Sequence, residues 1–287
     1  MQRLILGCGG GLMAGFKSAR AFGAAGLAAL AFAASAQAES LNVRYSVKLI
    51  GLSLGTATLN ATVDPGRYKI EAAARLTGLA TLVSNSKGVA ISTGGLAPAK
   101  PLPATYATTS SSATMTRTVR MALNAGAVRG VEISPPIEEA PDRVPVTDVH
   151  KRAVIDPLSA LLMPVPGSDP EIGPAACNRT IPVYDGFTRF DVPLTFEGVR
   201  QVSAQGYSGR VVVCTARYVP ISGHRPSRQV TQFMANNREM EIWLAPVGGT
   251  RVLAPFKISV ATLIGTTVVE ALEFSVGSTR RAANDVR

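Results

Sequence analysis

The sequence predicts an all-β fold with minor helix: one large, curled antiparallel sheet, a β-spiral or half-barrel clasping a short helix. Three observations point there. Apolar and polar residues alternate with a period of two along most of the chain. Gly-, Pro- and Asp-bearing turns punctuate those runs, and only one stretch combines a helix start, an apolar stripe and a stop. A sheet of that many strands must deal with its edges, and curling does so. With 46% apolar and 17% charged residues the composition is globular, which excludes wholesale disorder.

Residues 1–38 read as a cleavable export signal. Arg3, Lys17 and Arg20 make a basic start, 21–34 is an apolar core, and Ala36-Gln37-Ala38 puts small residues at −3 and −1 before Glu39. The apolar run is too short and too rich in Ala and Gly for a membrane span, and no other stretch reaches spanning length. Cys8, in Ile5-Leu6-Gly7-Cys8, lacks the preceding region a lipoprotein box needs. The expectation is a periplasmic protein with one β-rich domain over 39–276, a disordered tail over 277–287 and no transmembrane segment once the signal is removed.

Strands are expected near 41–49, 54–63, 67–76, 88–93, 103–110, 114–124 and 127–133, then 178–184, 187–196, 207–218, 228–235, 240–244, 251–261 and 268–276. In 67–76, Tyr68, Ile70, Ala72, Ala74 and Leu76 alternate with Arg67, Lys69, Glu71, Ala73 and Arg75. In 187–196, Phe190, Val192, Leu194 and Phe196 share a face. Asp64-Pro65-Gly66, Asp185-Gly186 and Gly248-Gly249 are hairpin turns, the second read as a two-residue type I′ turn. The helix is 156–162: Asp156 as N-cap, Pro157 at the first position, Leu158, Leu161 and Leu162 on one face, and Pro164 as the stop. A further helical turn is possible over 79–85. Four prolines and several acids make 135–145 an exposed loop, and 165–174 is a second.

Chemistry is sparse. The sequence contains no H-E-x-x-H and no P-loop. His150 and His224 sit in charged and turn-like contexts with no second metal ligand at a fixed spacing, so no metal and no cofactor is expected. The carboxylate pairs Glu138-Glu139 and Glu239/Glu241 lie in a loop and on one strand's wet face, and no catalytic residue is assigned. Cys177 and Cys214 are the only cysteines after the leader. In an oxidising compartment they form a disulfide, worth roughly 3–4 kcal/mol by loop closure; the alternative is a catalytic thiol served by His150 or His224. The chain carries 29 Lys and Arg against 19 Asp and Glu, a formal charge of +10. These cations do not form a run interleaved with aromatics, which argues against nucleic acid.

The order of features resembles the exported bacterial proteins known as domain of unknown function 3108. The resemblance runs from Tyr45-Ser46-Val47 and Gly55-Thr56-Ala57 through Tyr68-Lys69-Ile70 and Asp156-Pro157-Leu158-Ser159-Ala160. It continues with Cys177, Ile181-Pro182-Val183-Tyr184-Asp185-Gly186, Cys214, Tyr218-Val219-Pro220 and Ile242-Trp243-Leu244-Ala245-Pro246. It covers about 41–275. It implies a periplasmic, β-rich, curled-sheet protein without an assigned activity, similar by looser fold analogy to periplasmic lipoprotein carriers, and it supplies no catalytic residues.

The expected function is a non-enzymatic cell-envelope protein. Its partners are a lipid or other apolar or amphipathic ligand, an envelope protein, or an anionic envelope surface. The alternative is an unrecognised periplasmic hydrolase acting on cell-wall glycan or peptide. Leu158, Leu161 and Leu162 are the candidate cavity-lining residues, and the competing reading has them filling the core.

Overall fold

The computed structural model describes residues 38–77, 81, 86–167 and 173–279. The expected signal peptide up to Gln37, most of 79–85 and the tail beyond Thr279 lie outside the described residues.

Seven strands open the domain: β1 (Ala38–Leu49), β2 (Leu52–Asp64), β3 (Arg67–Leu76), β4 (Lys87–Ala97), β5 (Lys100–Ser111), β6 (Thr116–Asn124) and β7 (Ala127–Ser134). They pair in chain order as a meander. An irregular stretch follows, holding the two-residue β8 (Met163–Pro164). The second half supplies β9 (Arg179–Tyr184), β10 (Arg189–Ala204), β11 (Tyr207–Ala216), β12 (Val219–Ser222), β13 (Met240–Pro246), β14 (Val252–Thr262) and β15 (Gly265–Thr279). All join one sheet in the order β12-β10-β11-β13-β14-β15-β1-β2-β3-β4-β5-β6-β7, with β8 on β14 and β9 on β10. The last strand thus pairs with the first, over Ala38–Leu49 and Thr267–Thr279. The sheet does not close: β12 and β7 remain its two ends.

Curvature has visible causes. Register shifts at Arg44/Tyr45, Thr93/Gly94, Phe196/Gly198 and Trp243/Leu244 add a residue to one strand and bend it. The stretch 153–156 then reaches across the open side. Val154 N–H donates to Gly126 in the β6–β7 turn (2.9 Å), and Ile155 bridges Val183 of β9 through two backbone bonds of 2.9 Å. Two apolar clusters result. One gathers Leu41, Val43, Leu59, Ile70, Phe274 and Leu162 inside the curl. The other gathers Cys177, Cys214, Leu194, Leu244 and Leu253 beneath the second half.

Several expectations need correction. The segment 228–235 is not a strand: Gln229–Asn236 is an α-helix (α1), because Val230, Phe233 and Met234 recur at i, i+3 and i+4. Conversely, 156–162 winds only one 3-10 turn, Ser159–Leu161. Met163 and Pro164 pair with Leu253 and Val252 directly afterwards, so the chain is drawn into the sheet before a second turn forms. The Asp185-Gly186 turn is a four-residue loop, in which Asp185 Oδ1 accepts from the N–H groups of Phe187 (3.0 Å) and Thr188 (2.6 Å). The first expected tail residues, Gly277 to Thr279, continue β15 opposite Ser40, Glu39 and Ala38. The 135–145 segment is the exposed loop expected, and two contacts anchor it: Arg143 donates to the Gly223 carbonyl (2.6 Å), and Asp142 pairs with Arg225 (2.7 Å).

Candidate functional site

Side chains on the concave face shrink along the meander. Near the β2–β3 turn, Val63 faces Tyr68 and Ala61 faces Ile70; farther on, Leu59 faces Ala72 and Ala57 faces Ala74. Those last two rows continue as Ala72, Ala90, Thr108 and as Ala74, Gly88, Ser110. Tyr68 and Ile70 are buried, whereas Ala74 is exposed although it shares their face. Side chains this short cannot meet across the curl, so the close packing of the other end gives way to a hollow. A cleft of about 250 Å³ lies there, lined by Tyr45, Leu59, Ala72, Ala90, Leu161 and Ile258. Ala74 and Gly88 also border a mouth of about 460 Å³, edged by Val47, Leu76, Ser110 and Arg117. Cleft and mouth together are of the size of small-molecule sites, ~300–1,000 Å³.

Arg117 is the polar anomaly of this surface. On β6 it stands in the apolar phase with Val119, Met121 and Leu123, opposite inward-facing Ser110. It is half-buried, and its Nε is buried without a hydrogen-bond partner. A guanidinium is costly to leave unpaired in that position and matches carboxylate or phosphate oxygens in geometry. Arg75 and Lys87 face each other across β3 and β4 at the same rim.

The cleft floor is fixed by a buried polar knot. Asp156 Oδ1 accepts from the N–H groups of Leu158 (3.0 Å) and Ser159 (2.9 Å), and Oδ2 lies 2.5 Å from Ser159 Oγ and 3.0 Å from Ser92 Oγ. Tyr68 Oη lies 2.6 Å from Ser159 Oγ. Burial pushes the Asp156 carboxyl up from its ordinary range, against the pull of these hydrogen bonds, and pushes the Tyr68 phenol up to about 12. Asp156 is fully buried, so the knot has no substrate access; it clamps the 156–162 segment to β3 and β4. Leu158 and Leu162 then sink into the core, and only Leu161, half-buried, lines the cleft. The core-filling and cavity-lining readings of the three leucines each hold for part of the set.

The other singled-out residues lie elsewhere. Cys177 and Cys214 are bonded (S–S 2.02 Å, Cα–Cα 5.5 Å) and fully buried. His150 Nδ1 accepts from the Thr147 N–H (3.1 Å) in the turn Asp148–Lys151. His224 uses its carbonyl to hold Val144. Glu138 and Glu139 are exposed, and Glu241 accepts from Trp243 Nε1 at 3.2 Å. Among the described residues, no group of three His, Cys, Asp or Glu is placed to hold a metal ion. Sequence reasoning missed Arg117 as a site residue, although its phase with Val119 and Met121 is visible in the sequence. It also missed the shrinking row Tyr68, Ile70, Ala72, Ala74.

Fold and site define an open, curled antiparallel half-barrel with an apolar cleft and a cationic lip. The chain belongs to the family described as "Protein of unknown function (DUF3108)", whose profile matches residues 43–271. Among solved structures it is similar to a β-barrel-like protein of domain of unknown function DUF1849 from Brucella abortus. There the TM-score is 0.47 at 7% identity, over 85% of this chain and 98% of that one. A DUF1329 family protein from Desulfovibrio piger matches with a TM-score of 0.22 at 9% identity, over 88% of this chain and 89% of that one. A comparison with curated proteins finds no match. No described helix is long and apolar enough to cross a membrane.

Proposed function

We propose that the protein is a non-enzymatic, periplasmic component of the cell envelope that takes the apolar chain of an amphipathic ligand into its concave cleft. One observation carries the reading. Ala74 is exposed on the face that buries Tyr68 and Ile70, so the hollow is built from residue size in a sheet that packs tightly elsewhere. Arg117 at the mouth supports an anionic head on that ligand, since a chain inside would place its polar end beside the unpaired Nε. The leader-like residues 1–38 and the buried disulfide support the compartment.

The test is binding of hexadecanoate and of uncharged hexadecanol to the purified protein below their aggregation concentrations. Both are expected to bind, the acid at least tenfold more tightly, about 1.4 kcal/mol. Ala74→Phe should fill the hollow and abolish both, and Arg117→Gln should erase only the acid's advantage. Binding of neither probe overturns the cleft reading; equal binding of both overturns the role of Arg117 alone.

A further inference from the structure

The mouth end of the half-barrel carries a second, separate feature. The β1–β2 turn is Ile50-Gly51, closed between Leu49 and Leu52, and the β14–β15 turn is Leu263-Ile264, closed between Thr262 and Gly265. The two tips touch: Ile50 N–H donates to the Thr266 carbonyl (3.0 Å), and the Ile50 side chain lies against Gly265. Tight turns call for Asn, Asp or Gly, and these present aliphatics. Ile50 is 68% exposed, Leu52 73%, Leu263 42% and Ile264 70%. The turns Pro65-Gly66 (β2–β3) and Ala125-Gly126 (β6–β7), at the opposite end of the sheet, carry no large aliphatic side chain, and Val247 in the β13–β14 turn is buried.

The backbone strengthens the point. Ile50 has φ +51°, a left-handed conformation that a β-branched residue adopts only under strain. Asparagine would occupy that position of a type I′ turn with ease. The fold therefore holds an exposed isoleucine where both solvation and backbone preference disfavour it, and such strain marks positions kept for something other than stability.

Charge indicates what the tips meet. Lys48, Arg75, Lys87 and Arg117 all belong to this end, and the stretches 48–53, 75–77, 86–88, 110–118 and 262–268 contain no Asp or Glu; the acid beside the β14–β15 tip is Glu239, whose carbonyl accepts from Ala261 N–H, and it follows Arg238 in the chain. Arg75 and Lys87 are direct cross-strand neighbours, a like-charge pair that disfavours the isolated sheet and is relieved by an anionic surface. Aliphatic protrusions set among cations match an interface in which apolar groups enter below the headgroups and cations lie over anionic lipid. We infer that this end of the half-barrel docks on a bilayer surface containing anionic lipid, with the two hairpin tips inserted. The inference does not depend on the cleft being occupied.

The experiment is co-sedimentation of the purified protein with vesicles of equal parts phosphatidylglycerol and phosphatidylethanolamine, against vesicles of phosphatidylcholine alone. The protein is expected to bind the anionic vesicles and to bind less as salt shortens the screening length. Ile50→Asn should lower binding about tenfold by removing an inserted aliphatic, yet raise the melting temperature by relieving the turn. A purely structural isoleucine would not split the two readouts in this way. Ile264→Ser should weaken binding without bearing on the φ argument, and Val149→Ser, an exposed valine in the Asp148–Lys151 turn, should leave it intact. Ala74→Phe should still bind, which separates this surface from the cleft. Three results overturn docking: no binding to anionic vesicles, equal binding by wild type, Ile50→Asn and Ile264→Ser, or an equal loss in Val149→Ser. A concentration-dependent dimer that the tip variants abolish would assign the tips to a second copy of the chain instead.

Discussion

Leu161 and Leu162 are neighbours in sequence with opposite surroundings, and truncating each to alanine measures whether the cleft is hollow. Leu162 is 1% exposed within the main cluster, whereas Leu161 is half-buried and faces the cleft. Leu162→Ala removes three buried carbons, worth about 2.4 kcal/mol at ~0.8 kcal/mol each. The cavity left behind adds to that, because close-packed surroundings relax only in part, giving a total of about 3–5 kcal/mol. Leu161→Ala withdraws roughly half as much surface and merely enlarges a space that already exists, so the cavity term is small and the cost is about 1 kcal/mol. Urea unfolding with the disulfide intact, read by the fluorescence of the single tryptophan, Trp243, gives both numbers. The slope against urea should stay the same in both variants. If Leu161→Ala costs as much as Leu162→Ala, the cleft is closed core in solution and the ligand reading loses its foundation.

The Cys177–Cys214 bridge spans 37 residues, so replacing both cysteines by alanine should cost roughly 4 kcal/mol in the loop-closure picture. Thiol labelling of the unfolded, unreduced protein should find no free thiol at these positions, and two would refute the bridge. Asp156 gives a pH dependence of defined sign. Burial raises its folded pKa above the unfolded value of about 3.9, so its proton is held more tightly in the folded state. Its contribution is therefore most favourable below the unfolded value and is lost as pH rises through the folded one. The proton inventory agrees: three hydroxyl protons serve five contacts among Tyr68, Ser159, Ser92, Asp156 and the Thr105 carbonyl, and a carboxyl proton supplies a fourth. Measured against Asp156→Asn, wild-type stability should improve as pH falls from about 7 toward 4; a difference running the other way contradicts the assignment.

What the sequence made legible was whatever depends on period. Nearly every strand was placed because one wet and one dry face leave an alternation that needs no partner to be seen. The helix α1 was misread because Val230, Phe233 and Met234 form a stripe of a single pair of turns, too short to stand out from strand-like neighbours. The single turn at 156–162 was over-read for the opposite reason. Its cap and proline are genuine helix signals, and Asp156 does bind the N–H groups of Leu158 and Ser159, but pairing of Met163 with Leu253 ends the helix. The cleft was not legible, since it needs the register that sets Ala57 beside Ala74 and Ala74 beside Gly88. A row of small residues has meaning as a cavity only once its neighbours across the sheet are also known to be small. Arg117 lay between these cases: its phase on β6 was readable, but its position at the rim was not.

A hollow at one end of a curled sheet is stable only if something else resists collapse, and the strand order shows what does. The C-terminal strand β15 inserts between β14 and β1, so the ladder that closes the hollow half is continuous with the one carrying the disulfide-bearing half. Phe256 and Phe274 meet across that seam with centroids 6.1 Å apart, and Tyr207 packs on both at 6.0 and 5.2 Å. On the open side, Asp156 and its hydroxyl partners pin the 156–162 segment to β3 and β4, and Ile155 pins it to β9. The fully buried polar cluster, which has no access to substrate, therefore fixes against β3 and β4 the segment from which Leu161 lines the cleft.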